Sequence, residues 1–331
     1  MELSNEYCEC FREDGYVVWP KLLDPASDLG PVIEEYSVAT DRLLRTLDPD
    51  GANHAAHDGA SLEKKLIQLV ERSGSEHLRG LDISLPGAFT KADTPIHLGD
   101  EVFRLLTNPA LLDAVESIIG PEILLHPVQH TRIKVPEHKL PNEEKTSALT
   151  SSTPWHQDLA VIDRSADHTD MLTVWIPTTS STTESGCVVV LPKRHKGGLL
   201  EHRIDYEGNK GLHIPGQYLS GELSGEEVHL EMEPGDVLFI HRNLPHRSEP
   251  NTSDHVRMSV DVRYCPIGQN IGRDWAPNFV VRSRRIPAEI VDDPAVWRDL
   301  WLAARDDLVK SPPTVFRWPE TTGGRHDENA G

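Results

Sequence analysis

The sequence predicts a mainly β fold with flanking helices, and three observations carry that prediction. Apolar residues recur at helical spacing up to about Gly120. Beyond Gly120 the apolar period falls towards two. Turns rich in Gly, Pro, Asn and Ser then separate several short runs, the pattern of a sandwich or barrel.

The elements follow in order. Residues 5–20 read as a short helix and a compact strand, Gly15-Tyr16-Val17-Val18-Trp19-Pro20, closed by proline. Helical periodicity runs from about Asp28 to Leu47, and a polar loop, 49–60, carries His54 and His57, read as solvated. Ser61 to Arg72 is an amphipathic helix with Leu62, Leu66, Ile67 and Val70 on one stripe. Asn108 and Pro109 supply an N-cap and a first-turn proline, and Gly120 closes that helix. Strands are expected over Ile123–Val135, Pro154–Ile162, Met171–Thr178, Cys187–Leu191, Val228–Glu233, Val237–His241 and Val256–Tyr264. Two long loops, Pro136–Thr153 and His202–Gly225, interrupt them, and loops of that length are usually functional covers or disordered. A helix is expected around Pro294–Val309, before a polar tail.

Composition narrows the function. The chain has 331 residues, 33 Lys and Arg against 53 Asp and Glu, and a formal charge of −20. Such a chain is repelled by nucleic acid and by anionic membrane surfaces, so neither is expected as a partner. Four cysteines, Cys8, Cys10, Cys187 and Cys265, lack zinc-site spacing and read as reduced thiols. The acidic start has no signal-peptide pattern, and no apolar stretch approaches the ~20 residues that span a bilayer. A soluble, cytoplasmic protein is expected, and nothing in the sequence marks a dimer seam.

The chemistry centres on Trp155-His156-Gln157-Asp158-Leu159. If this run is a strand, His156 and Asp158 point the same way, because side chains alternate faces. One further histidine completes a triad of two His and one carboxylate, which holds iron(II) and leaves open positions. With 17 histidines in the chain, position must select it. His246 follows a turn at Gly235-Asp236, a buried strand over 237–241 and the rigid Pro245, which suits a ligand facing a barrel interior. His241 lies at the strand end and is read as packing or hydrogen bonding beside the site. Eleven residues after His246, Arg257 opens a run with Val256, Met258, Val260, Val262 and Tyr264 on one face and Arg257, Ser259, Asp261 and Arg263 on the other. A buried guanidinium needs a partner: a core carboxylate such as Asp261, or a small dicarboxylate cosubstrate held by a bidentate pair.

These residues resemble a known family. His156-x-Asp158, His246 and Arg257, with Gly186-Cys187-Val188-Val189-Val190-Leu191-Pro192 and His195-Lys196-Gly197 between them, look like the phytanoyl-CoA dioxygenase family, from Phe11-Arg12-Glu13-Asp14-Gly15-Tyr16 to Tyr264. The resemblance implies a double-stranded β-helix (jelly roll, cupin-like) core and a dioxygenase dependent on Fe(II), 2-oxoglutarate and O2. It implies His156, Asp158 and His246 as catalytic metal ligands. Arg257 would bind the far carboxylate of 2-oxoglutarate with Ser248 beside it, Trp175 would line that pocket, and Arg132 falls where relatives contact the cosubstrate. Halogenating relatives carry a small residue in place of the carboxylate, so Asp158 implies oxygen insertion. Residues 1–120 would pack on a catalytic core at 121–268, followed by an extension with a helix at 269–318 and a flexible tail at 319–331, one structural domain overall.

The expected reaction hydroxylates a small molecule and releases succinate and CO2, with the 136–153 loop as a lid. A different class keeps the three ligands but gives Arg257 no cosubstrate: a cupin-like metal barrel acting as an isomerase or ligand-binding protein. A third is a catalytically silent barrel. Lys134, His138, Lys139 and Lys145 are interspersed with Glu137, Glu143 and Glu144, which does not suit the phosphates of an acyl-CoA. Arg194, His195 and Lys196 read as a solvated basic turn.

Overall fold

The structure is a computed structural model, and it describes residues 5–47, 59–140, 152–205, 211–219, 221, 225–313 and 317–318. His54, His57, most of the proposed 136–153 lid, part of the 202–225 loop and the 319–331 tail lie outside them.

Among the described residues, eleven strands form three antiparallel sheets. The largest uses β1 (Tyr16–Trp19), β2 (Ile123–Lys134), β3 (Leu172–Pro177), β8 (Val237–His241), β10 (Arg257–Pro266) and β11 (Phe279–Arg282), in the order β1-β8-β3-β10-β2-β11. The second has the order β7-β4-β9, from β4 (Val188–Val190), β7 (Val228–Leu230) and β9 (His246–Ser248). A hairpin pairs β5 (Arg203–Asp205) with β6 (Gly211–His213).

Alternation along β8 shows how the layers stack. Val237 and Phe239 join one apolar cluster with the helices, while Leu238 and Ile240 join another with Trp175 and the second sheet's Val188, Val190 and Leu230. The large sheet is therefore buried on both faces, which is why β3 and β8 read as continuous apolar runs. Truncating Phe239, fully buried between Trp19 and the core, would cost about 3–5 kcal/mol.

The outer face is covered by α1 (Asn5–Asp14), α2 (Gly30–Thr46), α3 (Leu62–Ser73), α4 (Asp100–Leu106), α5 (Pro109–Ile119) and α6 (Pro294–Lys310). The caps are those the sequence predicts: Ser61 accepts from Lys64 N, and Asn108 from Ala110 N and Leu111 N. The stripe of α3 is rotated slightly, burying Leu66, Leu69 and Val70 together with Lys65, whose ammonium reaches Ser37 and Asp41 on α2 at 2.7 Å each.

Three expectations need correction. Pro154–Ile162 is not a strand. His156 makes one antiparallel bridge with His246, and Asp158–Val161 then forms a 3₁₀ turn. The second sheet is short, so the ladder ends where the chain turns under it. Second, β9, β11 and the β5–β6 hairpin were not expected, because three- or four-residue strands carry no readable period. Third, Arg194-His195-Lys196 is solvated only in part, with Lys196 exposed and Arg194 half-buried. His195 is buried, its Nε2 lies 3.2 Å from Arg12 O, and Lys196 Nζ donates to Glu13 Oε2 at 2.7 Å. Gly15, at φ +84°, lies so close that a Cβ there would sit 2.4 Å from the His195 ring. The Phe11–Tyr16 and His195–Gly197 stretches thus dock on each other.

Candidate metal centre

His156, Asp158 and His246 come together from two segments joined by the single bridge. His156 N donates to His246 O, and His246 N to His156 O, at 2.9 Å each. Gln157 keeps extended backbone (φ −122°, ψ 136°), so Asp158 still falls on the His156 side despite the turn that begins there. One ligand atom from each residue can be chosen so that all lie within 4.8 Å of one another, with His156 Nε2 3.9 Å and His246 Nε2 3.8 Å from the Asp158 carboxylate.

The surroundings aim these atoms. His156 Nδ1 lies 2.8 Å from Pro154 O, and His246 Nδ1 2.9 Å from Leu244 O. Each carbonyl fixes the proton on Nδ1 and leaves an Nε2 lone pair facing the partner ligands, the arrangement metal-binding histidines use. Burial, reinforced by the His246 imidazole, pushes the His156 pKa down to about 3, so its ring is neutral. Burial opposes the charge of Asp158. The Arg263 guanidinium, both imidazoles and the Thr173 hydroxyl outweigh it and hold the carboxyl well below the usual range. Arg263 Nη2 donates to Asp158 Oδ1 at 2.7 Å, and Thr173 donates to Oδ2. Arg263 and Thr173 face each other across β10 and β3. Two imidazoles that each present Nε2 and an oriented carboxylate can hold a divalent ion on one side and leave the other side open.

Beside the triad lies a cavity of about 50 Å³ between the sheets, lined by Lys134, Trp175, Ser248 and Arg257 among others. Arg257 is 2% exposed. Its Nη1 donates to Ser259 Oγ at 2.8 Å, its Nε is buried without a partner, and its guanidinium lies 5.5 Å from the Trp175 ring. Asp261 is not its counterion, because Asp261 pairs with Arg263 and, at 3.4 Å, with Arg132. Lys134 is no loop lysine either. It is 4% exposed, at the end of β2, and its Nζ donates to Ser248 Oγ at 2.7 Å and to Glu249 O. Burial, with the Arg257 and Arg132 charges nearby, pulls its pKa well below the ordinary lysine value. The buried Arg257 guanidinium, with no carboxylate bonded to it among the described residues and the Lys134 amine opposite it, makes a site for an anion.

The structure thus gathers His156, Asp158, His246, Arg257, Trp175 and Ser248 around one site and puts Arg132 at its rim. Ser248 differs in detail: its hydroxyl serves Lys134 and Thr153 N, while Ser259 bonds Arg257. His241 stays outside the triad, its Nδ1 accepting from Asn243 N and its ring beside His195. Sequence reading missed Lys134, Thr173, Ser259 and Arg263. The signal for Arg263 and Ser259 was present, since both share the polar face of β10 with Arg257.

The sequence pattern of the family described as Phytanoyl-CoA dioxygenase (PhyH) matches residues 11–259. The chain belongs to that family. It is 35% identical over 169 residues to the human "Phytanoyl-CoA dioxygenase, peroxisomal", covering 50% of this chain and 46% of that one. It is 28% identical over 289 residues to the "1-deoxypentalenic acid 11-beta-hydroxylase" of Streptomyces exfoliatus, covering 84% of this chain and 96% of that one. The chain spans about half the length of the curated phytanoyl-CoA dioxygenases it matches first. The apo structure of the non-heme monooxygenase ThoJ superposes with a TM-score of 0.56 at 20% identity, covering 92% of this chain and 97% of that one. That likeness shows the shared fold, the double-stranded β-helix. Among the described residues, no helix is long and apolar enough to cross a membrane.

Proposed function

We propose that this member of the family is a non-haem Fe(II)- and 2-oxoglutarate-dependent dioxygenase that hydroxylates a small molecule and releases succinate and CO2. The observation that carries the reading is the pairing of an open-sided His156–Asp158–His246 set with an unneutralised Arg257 beside it. A metal barrel without a cosubstrate has no use for a buried, unpaired guanidinium in the cavity beside its ligands. The far carboxylate of a dicarboxylate supplies its counterion.

In this reading His156, Asp158 and His246 hold the ion. Bound iron(II) would supply oxygen activation coupled to oxidative decarboxylation of 2-oxoglutarate. Arg257 and Ser259 receive the far carboxylate, with Lys134 adding a further donor and Trp175 walling the pocket. Such charge-assisted hydrogen bonds are worth about 1.5–3 kcal/mol each. Arg263 and Thr173 keep Asp158 ionised and oriented, and Arg132 closes the rim through Asp261. The apolar side chains Val188 and Ile240 exclude water from the inner cavity.

The acidic composition and the free Cys8, Cys10, Cys187 and Cys265 support a cytoplasmic site of action. The test is anaerobic reconstitution with iron(II) and 2-oxoglutarate, followed by exposure to oxygen and measurement of succinate. Succinate release that depends on both iron and 2-oxoglutarate supports the reading, and full turnover by His156→Ala would refute it.

A further inference from the structure

A second cavity, of about 590 Å³, opens beyond the triad. An intermediate chamber of about 170 Å³ joins it to the triad, and Val161, Leu212 and Arg273 line both spaces. The volume of the larger cavity falls within the ~300–1,000 Å³ of small-molecule sites. Its apolar walls include Phe89, Trp275 and Trp318. Phe89 is 66% exposed, so its ring is offered to whatever enters the cavity rather than packed into the core.

One cation in this wall has no counterion. Arg317 pairs with Asp167 at 2.6 Å and His130 with Asp82 at 3.0 Å. Arg132 and Arg263, which line the chamber, are paired with carboxylates as described above. Arg273 instead donates one hydrogen bond, 3.2 Å to Val161 O, and its guanidinium lies 5.5 Å from the Trp275 ring. Among the described residues no carboxylate bonds it. Burial and the nearby Arg263 charge both depress its pKa, to about 10. It is placed by a tight contact: Gly272, at φ +62°, packs so closely on the 158–163 turn that a Cβ would lie 2.9 Å from Asp163 N, and Gly272 O accepts from that N at 3.0 Å. The cavity lining also holds the exposed carboxylates Asp163 and Asp274, and Asp163 caps Ser165 N. A lining with one free guanidinium and two carboxylates suits a single negative charge and opposes the several charges of a coenzyme A tail.

We propose that Arg273 anchors the carboxylate of an apolar monocarboxylic acid, the substrate, whose body lies between Phe89, Trp275 and Trp318, and that the substrate is the free acid rather than its CoA thioester. The proposal rests on the oxygenase reading for the word substrate, but the binding event is independent of turnover. Arg273 is then a specificity residue, distinct from Arg257, which lines the separate cavity assigned to the cosubstrate.

The test is calorimetric titration of the full chain with decanoic acid, decan-1-ol and decanoyl-CoA, below their micellar concentrations, with iron(II) and 2-oxoglutarate present under anaerobic conditions. The acid is expected to bind on the order of tenfold to a hundredfold tighter than the alcohol, the worth of one or two charge-assisted bonds. It should also bind tighter than the thioester. Arg273→Gln should erase the acid-over-alcohol preference and leave alcohol affinity unchanged, and Arg273→Lys, which keeps the charge, should retain part of it. Equal binding of acid and alcohol by the wild type, no binding of either, or an intact preference in Arg273→Gln overturns the proposal. Tighter binding of the thioester overturns its free-acid claim. Titration of 2-oxoglutarate separates the two readings. Failure of the wild type to bind it sinks the oxygenase assignment and leaves the acid preference standing, whereas weaker 2-oxoglutarate binding in Arg273→Gln would assign Arg273 to the cosubstrate and refute this inference.

Discussion

The two cavities near the triad are built on different plans. The inner one is small, lies between strands β2, β3, β4, β8, β9 and β10, and carries the buried Lys134 and Arg257 on paired ladder positions. The outer one is more than ten times larger, and its walls come mostly from turns and chain segments at 85–89, 160–165, 272–275, 313 and 317–318, with His130 on β2, Ile204 on β5 and Gly211–Leu212 on β6. A constant ligand can be read by rigid strand positions, because its shape never changes. A ligand that differs between relatives is met by connecting segments, which can vary without disturbing a ladder.

The comparison can be broken, beginning with the largest expected effect. His156→Ala and Asp158→Ala should each remove iron binding and 2-oxoglutarate turnover, by more than the ~10–100-fold typical of losing an outer partner. Equilibrium dialysis against iron(II) and a succinate assay read both. Next, Arg257→Gln should weaken 2-oxoglutarate binding by roughly tenfold to a hundredfold while leaving iron affinity in place, and Arg257→Lys should fail to restore it fully because the planar fork is lost. A change confined to substrate affinity would mean that Arg257 is assigned to the wrong cavity.

Arg263→Gln acts through Asp158. Iron affinity should fall by about 10–100-fold, and removing one partner from a buried pair should also destabilise the fold by ~3–5 kcal/mol. Dialysis and thermal melting together separate that positioning role from simple unfolding, since added iron should recover part of the lost stability. The smallest effect is expected at Gly15→Ala, where a left-handed conformation and contact with His195 should cost about 1–3 kcal/mol. Its iron and 2-oxoglutarate affinities should match the wild type. Lost iron affinity there would mean that the Phe11–Tyr16 stretch reaches the site after all.

The same division explains what could be read in the sequence. The face of β10 that carries Arg257 was visible because one strand obeys a period of two over ten residues. The His156–Asp158 juxtaposition was read from an assumed strand that is really a bridge followed by a 3₁₀ turn. The side chains still meet because a single extended residue, Gln157, separates them. Lys134 falls inside the expected strand Ile123–Val135, but only the β2–β10 register reveals that it sits opposite Arg257. Thr173 needed the β3–β10 register in the same way. Arg273, Phe89 and Trp318 had no local signal at all. Their association depends on how connecting segments fold over the mouth of the barrel, and aperiodic segments carry no pattern that predicts a neighbour.

The central claim is that the triad and Arg257 serve one cosubstrate. The most direct measurement is an anaerobic titration of the iron(II)-loaded chain with 2-oxoglutarate, followed by visible absorption, in the wild type, His156→Ala and Arg257→Gln. Saturable binding in the wild type, loss in His156→Ala and weakening in Arg257→Gln are predicted. Binding to Arg257→Gln as tight as to the wild type, or no binding to the wild type, would contradict the account.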